Sequence, residues 1–321
     1  MIISRKQRVL LVLGGGAFTA FTFFAKGGLF PYLTSGRKWA IAIYEGPTPF
    51  DLSPAAGVPV PALRASDVTD VPARFVADPF LLPQDGRWFL FCEVFRFDTR
   101  QGDIGLATSP DGRRFTYERI VLDEPFHLSY PYVFEAGGAV YMVPESGTDQ
   151  TVRLYRAAPF PTKWVHVRTL LRGAPYVDTS LAVHGDRVWL FTSLPSNDTL
   201  LLFSAPTLEG PFEEHPMSPI VRGDRRHARP GGRAFTWEGR LYRLAQDDTP
   251  SYGSAVRAFE ITELTSTTYR ERAVRETPIL SGSGRGWNAR GMHTLDPHPA
   301  GAGRWLAAVD GYRKGLLAGW R

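Results

Sequence analysis

The feature of this 321-residue sequence that most constrains its fold is a repeat of about fifty residues. Five segments share one pattern: a polar residue opens an apolar strand, a turn containing glycine follows, and an aromatic-rich strand ends on a polar residue. The five strand openings stand at positions 78, 130, 178, 229 and 293. Repetition with this period is typical of propellers and solenoids.

Each repeat is long enough for four short strands. After the opening hairpins, two further strand-like pieces follow in the first repeat (residues 104–108 and 115–122) and in the second (152–155 and 164–171). The 32 glycines, 26 prolines and 13% aromatic residues agree with short strands and tight turns. Four antiparallel strands per repeat describe a propeller blade, so the sequence predicts an all-β, five-bladed β-propeller. A β-sandwich fits less well, because sandwiches do not repeat at this period.

The two ends of the repeat array are expected to meet. The fifth repeat ends near Tyr312, soon after its second strand, and residues 39–45 and 59–63 resemble the missing outer strands. N-terminal strands that complete the last blade would close the ring and leave no open seam. Residues 38–313 are therefore interpreted as one propeller domain.

Residues 1–30 form a separate segment, in which a basic cluster precedes an uncharged run over residues 9–25. This order predicts a short apolar helix that acts as a signal peptide or a membrane anchor. No clear cleavage site follows, which favours an anchor with the propeller outside the cytoplasm; cleavage would make the protein secreted. A mis-started or poorly structured N-terminus is the alternative.

Charge and cysteine content exclude several classes of function. Four of the five net positive charges lie in residues 1–30, so the body is nearly neutral and a nucleic-acid partner is not expected. The single cysteine, Cys92, excludes a disulfide framework and a Cys-based zinc cluster. The seven histidines lack HxH and HExxH spacing, so no catalytic metal is predicted. No cofactor is assigned; a single structural ion on the channel axis, held by His293 and water, is left open.

The propeller architecture gathers polar residues at one mouth of the central channel, because the first strand of a blade starts where the second strand ends. The residues brought together are Asp78 with Glu93, Tyr130 with Glu145, Asp178 with Ser193, Arg229 with Gln246 and Asp247, and His293 with Asp310. Burying such a ring of acids is costly unless a polar ligand binds there. For any one residue, turn capping or an ion pair between blades is the alternative interpretation.

Other residues near the mouth have two interpretations each. His127 lies just before an inner strand and could reach the mouth or be a buried hydrogen-bonding histidine. Trp287, Tyr252 and Tyr130 are candidate platforms for a sugar ring. The tryptophans and tyrosine at positions 88, 189 and 242 are expected to pack between blades.

Several motifs resemble a known family. Ala77-Asp-Pro-Phe, with its hairpin back to Glu93, resembles the opening blade of the five-bladed glycoside hydrolases of family 43. The stretches His127-Leu-Ser-Tyr-Pro-Tyr and Tyr141-Met-Val-Pro-Glu-Ser are more specific. They resemble the N-terminal propeller domain of plant glucosamine inositolphosphorylceramide transferases and its bacterial counterparts. The similarity spans roughly residues 38–313.

The resemblance implies a carbohydrate-active mouth. In family 43, one Asp activates water, a Glu protonates the leaving oxygen and a second Asp tunes that acid, with the two working carboxyls about 6.5–9.5 Å apart. It implies Asp78 as base, Glu145 as acid and Asp178 as modulator. The substrate-binding candidates are Glu93, His127, Tyr130, Arg229, Gln246, Asp247, Tyr252, His293 and Asp310.

Whether the chain is an enzyme stays open at this point. The leading hypothesis is glycosyl cleavage or transfer on cell-envelope glycans or glycolipids. In the plant proteins the transferase chemistry is attributed to a separate C-terminal domain, so the alternative is a non-catalytic glycan-binding module that works with a glycosyltransferase partner. A protein-interaction propeller fits less well, because such propellers usually have more blades and a less acidic mouth.

Overall fold

The computed structural model describes the backbone of residues 31–320 and the side chains of residues 36–315. Within this range the strands form five antiparallel sheets, each made of four strands or of four and a short extra strand. Neighbouring sheets pack side by side as the five blades of a propeller. The predicted all-β, five-bladed fold is confirmed.

The strands follow one another blade by blade. The described chain opens with β1 (Pro31–Thr48), β2 (Asp51–Pro54) and a 3₁₀ turn, η1 (Ala65–Asp67). The first complete blade contains, from the axis outward, β3 (Ala73–Gln84), β4 (Arg87–Arg96), β5 (Gly102–Ser109) and β6 (Thr116–Leu122). The second contains β7 (Ser129–Ala136), β8 (Ala139–Ser146), β9 (Thr151–Ala157) and β10 (Trp164–Arg172), with η2 (Gly147–Asp149) between β8 and β9.

The remaining blades are less regular at their outer edges. The third contains β11 (Val177–His184), β12 (Arg187–Ser193), β13 (Thr199–Ala205), β14 (Glu213–Glu214) and β15 (Val221–Arg222). The fourth contains β16 (Phe235–Trp237), β17 (Arg240–Asp247), β18 (Ala255–Leu264), β19 (Tyr269–Ala273) and β20 (Leu280–Ser281). After η3 (Gly286–Asn288), β21 (Leu295–Pro299) and β22 (Trp305–Trp320) begin the fifth blade.

The fifth blade is completed by the N-terminal strands, in the order β21-β22-β1-β2. Strand β1 pairs antiparallel with β22 over its length, from Pro31 opposite Trp320 to Gly46 opposite Trp305. The predicted ring closure is confirmed. Residues 59–63 do not form the outermost strand as predicted: β2 takes that place because the Thr48 hydroxyl holds a tight turn by accepting the Asp51 N–H. Leu63 makes an isolated bridge to Ile41 instead.

The predicted segment boundaries relate to this architecture in two ways. The predicted domain range, residues 38–313, falls inside the described sheets, and the β1–β22 pair continues beyond it to Pro31 and Trp320. The signal peptide or anchor predicted for residues 1–30 lies outside the described residues. Across residues 31–320 no helix is long and apolar enough to span a membrane.

Apolar packing between blades holds the sheets together. Trp189 of the third blade packs in one buried cluster with Leu241 and Ile261 of the fourth. Tyr242 of the fourth blade packs with Trp305 and other residues of the fifth. The inter-blade packing predicted for these two aromatic residues is confirmed.

Hydrogen bonds fill the central axis just inside the mouth. The Tyr130 hydroxyl donates to the Gly232 carbonyl (2.9 Å), accepts the Gly232 N–H (2.6 Å) and contacts the Ser180 hydroxyl (2.8 Å). One level deeper, the Arg233 guanidinium pairs with Asp296 (2.7 Å). These contacts join inner strands across the axis, so that the mouth ends in a closed floor.

We expect Tyr130→Phe to lower the free energy of unfolding by about 1–3 kcal/mol, because it leaves the buried Gly232 N–H and carbonyl without their partner. Chemical denaturation monitored by tryptophan fluorescence measures the change. The matched control is Tyr141→Phe, at a half-buried tyrosine that stacks on Phe134 and whose hydroxyl makes no hydrogen bond within the described residues. Equal, small effects of both variants would contradict the role assigned to the axial hydroxyl.

Candidate functional site

The inner strands of the first three blades begin with the same backbone irregularity. Asp78, Tyr130 and Asp178 have φ angles of 51°, 45° and 49°, and the strand register shifts at each of them. A left-handed φ is strained for residues other than glycine, and a bulge of this kind re-aims the side chain. It turns Asp78 and Asp178 towards the mouth and Tyr130 onto the axis.

A cavity of about 440 Å³ opens at this mouth. The ionisable residues that line it include Asp78, Glu93, Glu145, His127, His293 and Arg229. Its aromatic lining consists of Trp39, Phe75, Phe95 and Tyr252. Six of the predicted mouth residues therefore share one pocket with Tyr252, although they come from four of the five blades or from the loops beside them. The third blade contributes no lining residue, so the predicted Asp178 and Ser193 do not line the pocket. We call this cavity the mouth pocket.

Asp310 lies beneath one side of the mouth pocket and holds the residues of that side in place through hydrogen bonds. Its carboxylate accepts the backbone N–H groups of His293 (3.1 Å), Thr294 (3.0 Å) and Asp78 (3.0 Å), and it contacts His293 Nδ1 (2.7 Å). The Thr294 hydroxyl donates to Asp78 Oδ1 (2.9 Å), and His293 Nε2 lies 3.7 Å from the same oxygen. Asp310 thus positions the imidazole and Asp78 without itself lining the pocket.

Burial and charge shift the pKa values on this side. Burial raises the pKa of Asp78 to about 7, against the opposing effect of the His293 charge. For His293, burial disfavours the charge, but the carboxylates of Asp310 and Asp78 raise its pKa to about 9. Near neutral pH the pocket therefore presents a protonated imidazole beside a carboxyl group that is about half ionised.

An aromatic wall stands beside His293. The imidazole stacks on Trp39, with centroids 4.0 Å apart, and Tyr252 meets it edge-on at 5.3 Å. Gly253 permits this arrangement: its φ is +74°, and a Cβ there would lie 2.6 Å from the Trp39 ring. Trp39 is buried between His293 and Tyr312, whereas Tyr252 is only partly buried and stands beside the carboxyl groups of the pocket.

Arg229 organises the opposite side. Its guanidinium forms an ion pair with Asp178 (2.6 Å), donates to the Asn197 side-chain oxygen (2.9 Å) and reaches Glu145 at 3.5 Å. The Gln246 amide also donates to Asp178 (2.5 Å). Burial, followed by the neighbouring Asp178 carboxylate, raises the pKa of Glu145 well above its usual range, and Arg229 only partly opposes this. The result favours a protonated Glu145 next to the arginine-paired Asp178.

Glu93 and His127 form a third group on the pocket wall. His127 Nδ1 accepts the Gly102 N–H (2.8 Å), which leaves Nε2 to carry the proton 3.6 Å from Glu93 Oε1. Burial lowers the pKa of His127 to about 4 and raises that of Glu93, to which the surrounding carboxylates also contribute. Both groups are therefore favoured in their neutral forms.

The structure does not bring all the predicted substrate-binding residues to the mouth pocket. Tyr130 is fully buried on the axis, where its hydroxyl is already hydrogen-bonded. Asp247 pairs with Arg257 (2.7 Å), which lies diagonally across on the neighbouring strand β18, opposite Ala245. Gln246 and Asp310 are buried beneath the pocket, where Gln246 donates a hydrogen bond to Asp178 and Asp310 accepts hydrogen bonds from the backbone of pocket residues.

Sequence reasoning did not select Trp39 or Arg74, which line the pocket, or Thr294, which contacts Asp78. Trp39 begins the strand predicted over residues 39–45, so one signal was present. Trp39 stacks on His293 because β1 joins the fifth blade, and the local sequence around Trp39 does not indicate this contact.

The residues Asp78, His293 and Asp310 bring ligand-type atoms within 4.8 Å of one another. Both Asp310 oxygens already accept N–H groups, and His293 Nδ1 faces the same carboxylate. Hydrogen bonding therefore accounts for this cluster, and the donor set does not fit a metal ion without breaking those bonds.

Known structures with the same fold are carbohydrate-active enzymes. The catalytic domain of the Coprinopsis cinerea family 62 α-L-arabinofuranosidase matches 85% of this chain and 96% of its own at a TM-score of 0.59 and 14% identity. The Cellvibrio cellulosa α-L-arabinanase matches 75% and 94% at a TM-score of 0.53 and 16% identity. The protein is thus a five-bladed propeller with the fold of these glycoside hydrolases.

Sequence comparison identifies the particular family. Residues 34–312 match the profile described as glucosamine inositolphosphorylceramide transferase 1, N-terminal, and the chain belongs to this family. Glucosamine inositolphosphorylceramide transferase 1 of Oryza sativa subsp. japonica is 38% identical and that of Arabidopsis thaliana 35% identical, each over 86% of this chain. The chain spans about two fifths of these relatives (40% and 39%).

The raised pKa of His293 predicts a pH-dependent stability. The folded state holds a proton that the unfolded state releases above about pH 6.5, so the stabilisation is complete below that pH and is lost as the pH rises through about 9. We expect the unfolding free energy to fall over this window, with a slope approaching about 1.4 kcal/mol per pH unit. His293→Gln should flatten the slope in denaturation curves measured at successive pH values.

His127→Gln is the matched control for this measurement. Because the pKa of His127 is lowered to about 4, its linkage lies below pH 6.5 and the slope between pH 6.5 and 9 should be unchanged. The raised pKa values of Glu93 and Glu145 contribute a slope of the same sign, so part of it should remain in His293→Gln. A slope that His293→Gln does not reduce would show that the proton is held elsewhere.

Proposed function

We propose that the protein binds the saccharide of a cell-envelope glycan or glycolipid in the mouth pocket and cleaves or transfers a glycosyl unit there. The observation that carries the proposal is the contrast between two carboxyl groups in one pocket. Asp78 has a pKa of about 7 and no arginine partner within the described residues, whereas the pKa of Glu145 is raised well above its usual range. Two such groups can serve as base and acid near neutral pH.

The proposed reaction assigns one role to each group. Asp78 takes the proton of a water or acceptor hydroxyl as its oxygen attacks the anomeric carbon. Glu145 gives its proton to the departing oxygen as the glycosidic bond breaks. Asp178, paired with Arg229, tunes the proton affinity of Glu145. His293 and Tyr252 are the groups placed to contact sugar hydroxyls and ring faces.

A lipid-linked substrate is supported by family and by topology. The relatives' name contains inositolphosphorylceramide, a glycolipid headgroup and its lipid. Strand β1 enters the fifth blade from the mouth side, because Trp39 lies at the pocket and Pro31 pairs with Trp320 beyond it. A membrane anchor within residues 1–30 would hold the mouth towards the bilayer, outside the cytoplasm.

We expect Asp78→Asn to lower turnover of a susceptible glycoside by about 10²–10⁴-fold, because the amide cannot accept the proton. Its affinity for the same glycoside should change little, since the amide keeps the shape and the Thr294 contact. Steady-state kinetics and calorimetric titration measure the two quantities separately.

Asp247→Asn is the control, because Asp247 also ends a strand at the mouth side but pairs with Arg257 away from the pocket. It should keep wild-type turnover. Undiminished turnover in Asp78→Asn would refute Asp78 as the base.

A second candidate function is a non-catalytic glycan-binding module that serves a separate glycosyltransferase. It is favoured by one specific contact: Arg229 pairs with Asp178 and also reaches Glu145, so part of the acidic mouth is already neutralised. The chain also spans only about two fifths of its curated relatives, whose remaining length could supply the chemistry.

Glu145→Gln separates the two functions. If Glu145 is the acid, turnover should fall at least about 100-fold for a glycoside with an alkyl leaving group. It should fall much less for a nitrophenyl glycoside, whose leaving oxygen needs no proton. A wild-type protein that binds glycolipid without any turnover, and a Glu145→Gln variant that differs from it in affinity alone, would establish the binding module.

A further inference from the structure

A second cavity, of about 700 Å³, lies beside the mouth pocket and shares Trp39 and Arg74 with it. It runs between β1, the loop that carries Arg64, and η3. The charged side chains that line it are all basic: Lys38, Arg64, Arg74 and Arg313. We call it the basic cavity. Its charge is opposite to that of the acid-lined mouth pocket next to it.

Three of the four cations of the basic cavity have no carboxylate partner among the described side chains. Over the part of the chain with described side chains, no carboxylate oxygen lies within 4.0 Å of the charged nitrogens of Lys38, Arg74 or Arg313. Arg64 approaches Asp67 at that limit, and both side chains are exposed. Unpaired cations that converge on one cavity repel each other, and a bound anion removes that repulsion.

Arg74 lines the basic cavity and has a side-chain N–H without a hydrogen-bond acceptor among the described residues. Its Nε is buried and has no hydrogen-bond acceptor among the described residues. Its guanidinium faces the Phe95 ring at 5.7 Å and lines both cavities. A buried N–H without an acceptor costs free energy, so the fold holds Arg74 at the boundary between the cavities at a cost.

We infer that the basic cavity binds a phosphate ester attached to the saccharide that occupies the mouth pocket. This inference rests on the proposed function and names its substrate class: a sugar or polyol linked through phosphate, as in a phospholipid headgroup. Guanidinium groups match phosphate oxygens in geometry as well as charge. Trp287, a partly exposed side chain that lines the basic cavity, provides a ring face beside the phosphate.

The test compares ligands that differ by the phosphate alone. The full 321-residue chain in detergent is titrated calorimetrically with glycerophosphoinositol, with myo-inositol and with inorganic phosphate. We expect glycerophosphoinositol to bind at least about tenfold more tightly than either of the others, and its affinity to fall as NaCl is added.

Two variants assign the preference to the cavity. Arg313→Gln, at an exposed side chain, and Arg74→Gln should each reduce the affinity for glycerophosphoinositol about tenfold and weaken its salt dependence. Arg313→Gln, which lies outside the mouth pocket, should have little effect on myo-inositol. Arg313→Lys should restore part of the affinity. The matched control is Arg119→Gln, at an exposed arginine of β6 outside both cavities, which should bind like the wild type.

Vesicles distinguish a headgroup from general surface charge. The chain should be retained by phosphatidylcholine vesicles that contain phosphatidylinositol more strongly than by those that contain phosphatidylserine. Equal retention, equal affinity for inorganic phosphate and the ester, or an undiminished preference in Arg313→Gln and Arg74→Gln would each overturn the inference. A preference that persists while no glycoside is turned over in the mouth pocket would refute the catalytic proposal and still support the phosphate site.

Discussion

The antiparallel pairing of β1 with β22 is the contact on which both the ring and its pocket depend. It joins residues near the two ends of the described chain, from Pro31 with Trp320 to Gly46 with Trp305, and leaves the fifth blade no unpaired inner edge. The same pairing carries Trp39 to His293 and sets Lys38 beside the basic cavity. Fold closure and site assembly are therefore one event, because the aromatic wall of the mouth pocket comes from the strand that closes the ring.

The mouth contains several buried acidic side chains, which are rare in a protein interior, and each has different hydrogen-bonding or ion-pairing neighbours. Asp310 is surrounded by backbone N–H groups, Asp178 by Arg229 and Gln246, and Asp78 by Thr294 and the charged His293. Glu145 and Glu93 have weaker partners, and burial raises the pKa of both. Glu145 and Glu93 are therefore favoured in their protonated forms, whereas the pKa of Asp78 is about 7.

Buried arginines elsewhere in the described chain are paired with carboxylates, unlike most cations of the basic cavity. Arg233 is matched to Asp296 on the axis and Arg243 to Glu271 in the fourth blade. In the basic cavity the cations at positions 38, 74 and 313 have no carboxylate partner among the described side chains, although an acidic pocket lies beside them. A ligand with a neutral or hydroxyl-rich end and an anionic end fits both cavities at once, and this connects the site to the phosphoryl headgroup in the relatives' name.

The sequence by itself determined the number of blades, the closure by N-terminal strands and the strand-end residues that face one mouth. Each follows from the repeat, because the place of a residue within the repeat determines the strand it belongs to and the end of the channel it faces. Asp78, Glu93, Glu145, Arg229 and His293 were placed correctly for that reason. The tertiary structure alone decided what each side chain does there. Tyr130 lies on the axis, Asp247 pairs with Arg257, and Trp39 and Arg74 line the pocket. These outcomes depend on bulges, on cross-strand neighbours and on contacts between residues more than two hundred positions apart, which no local sequence pattern contains.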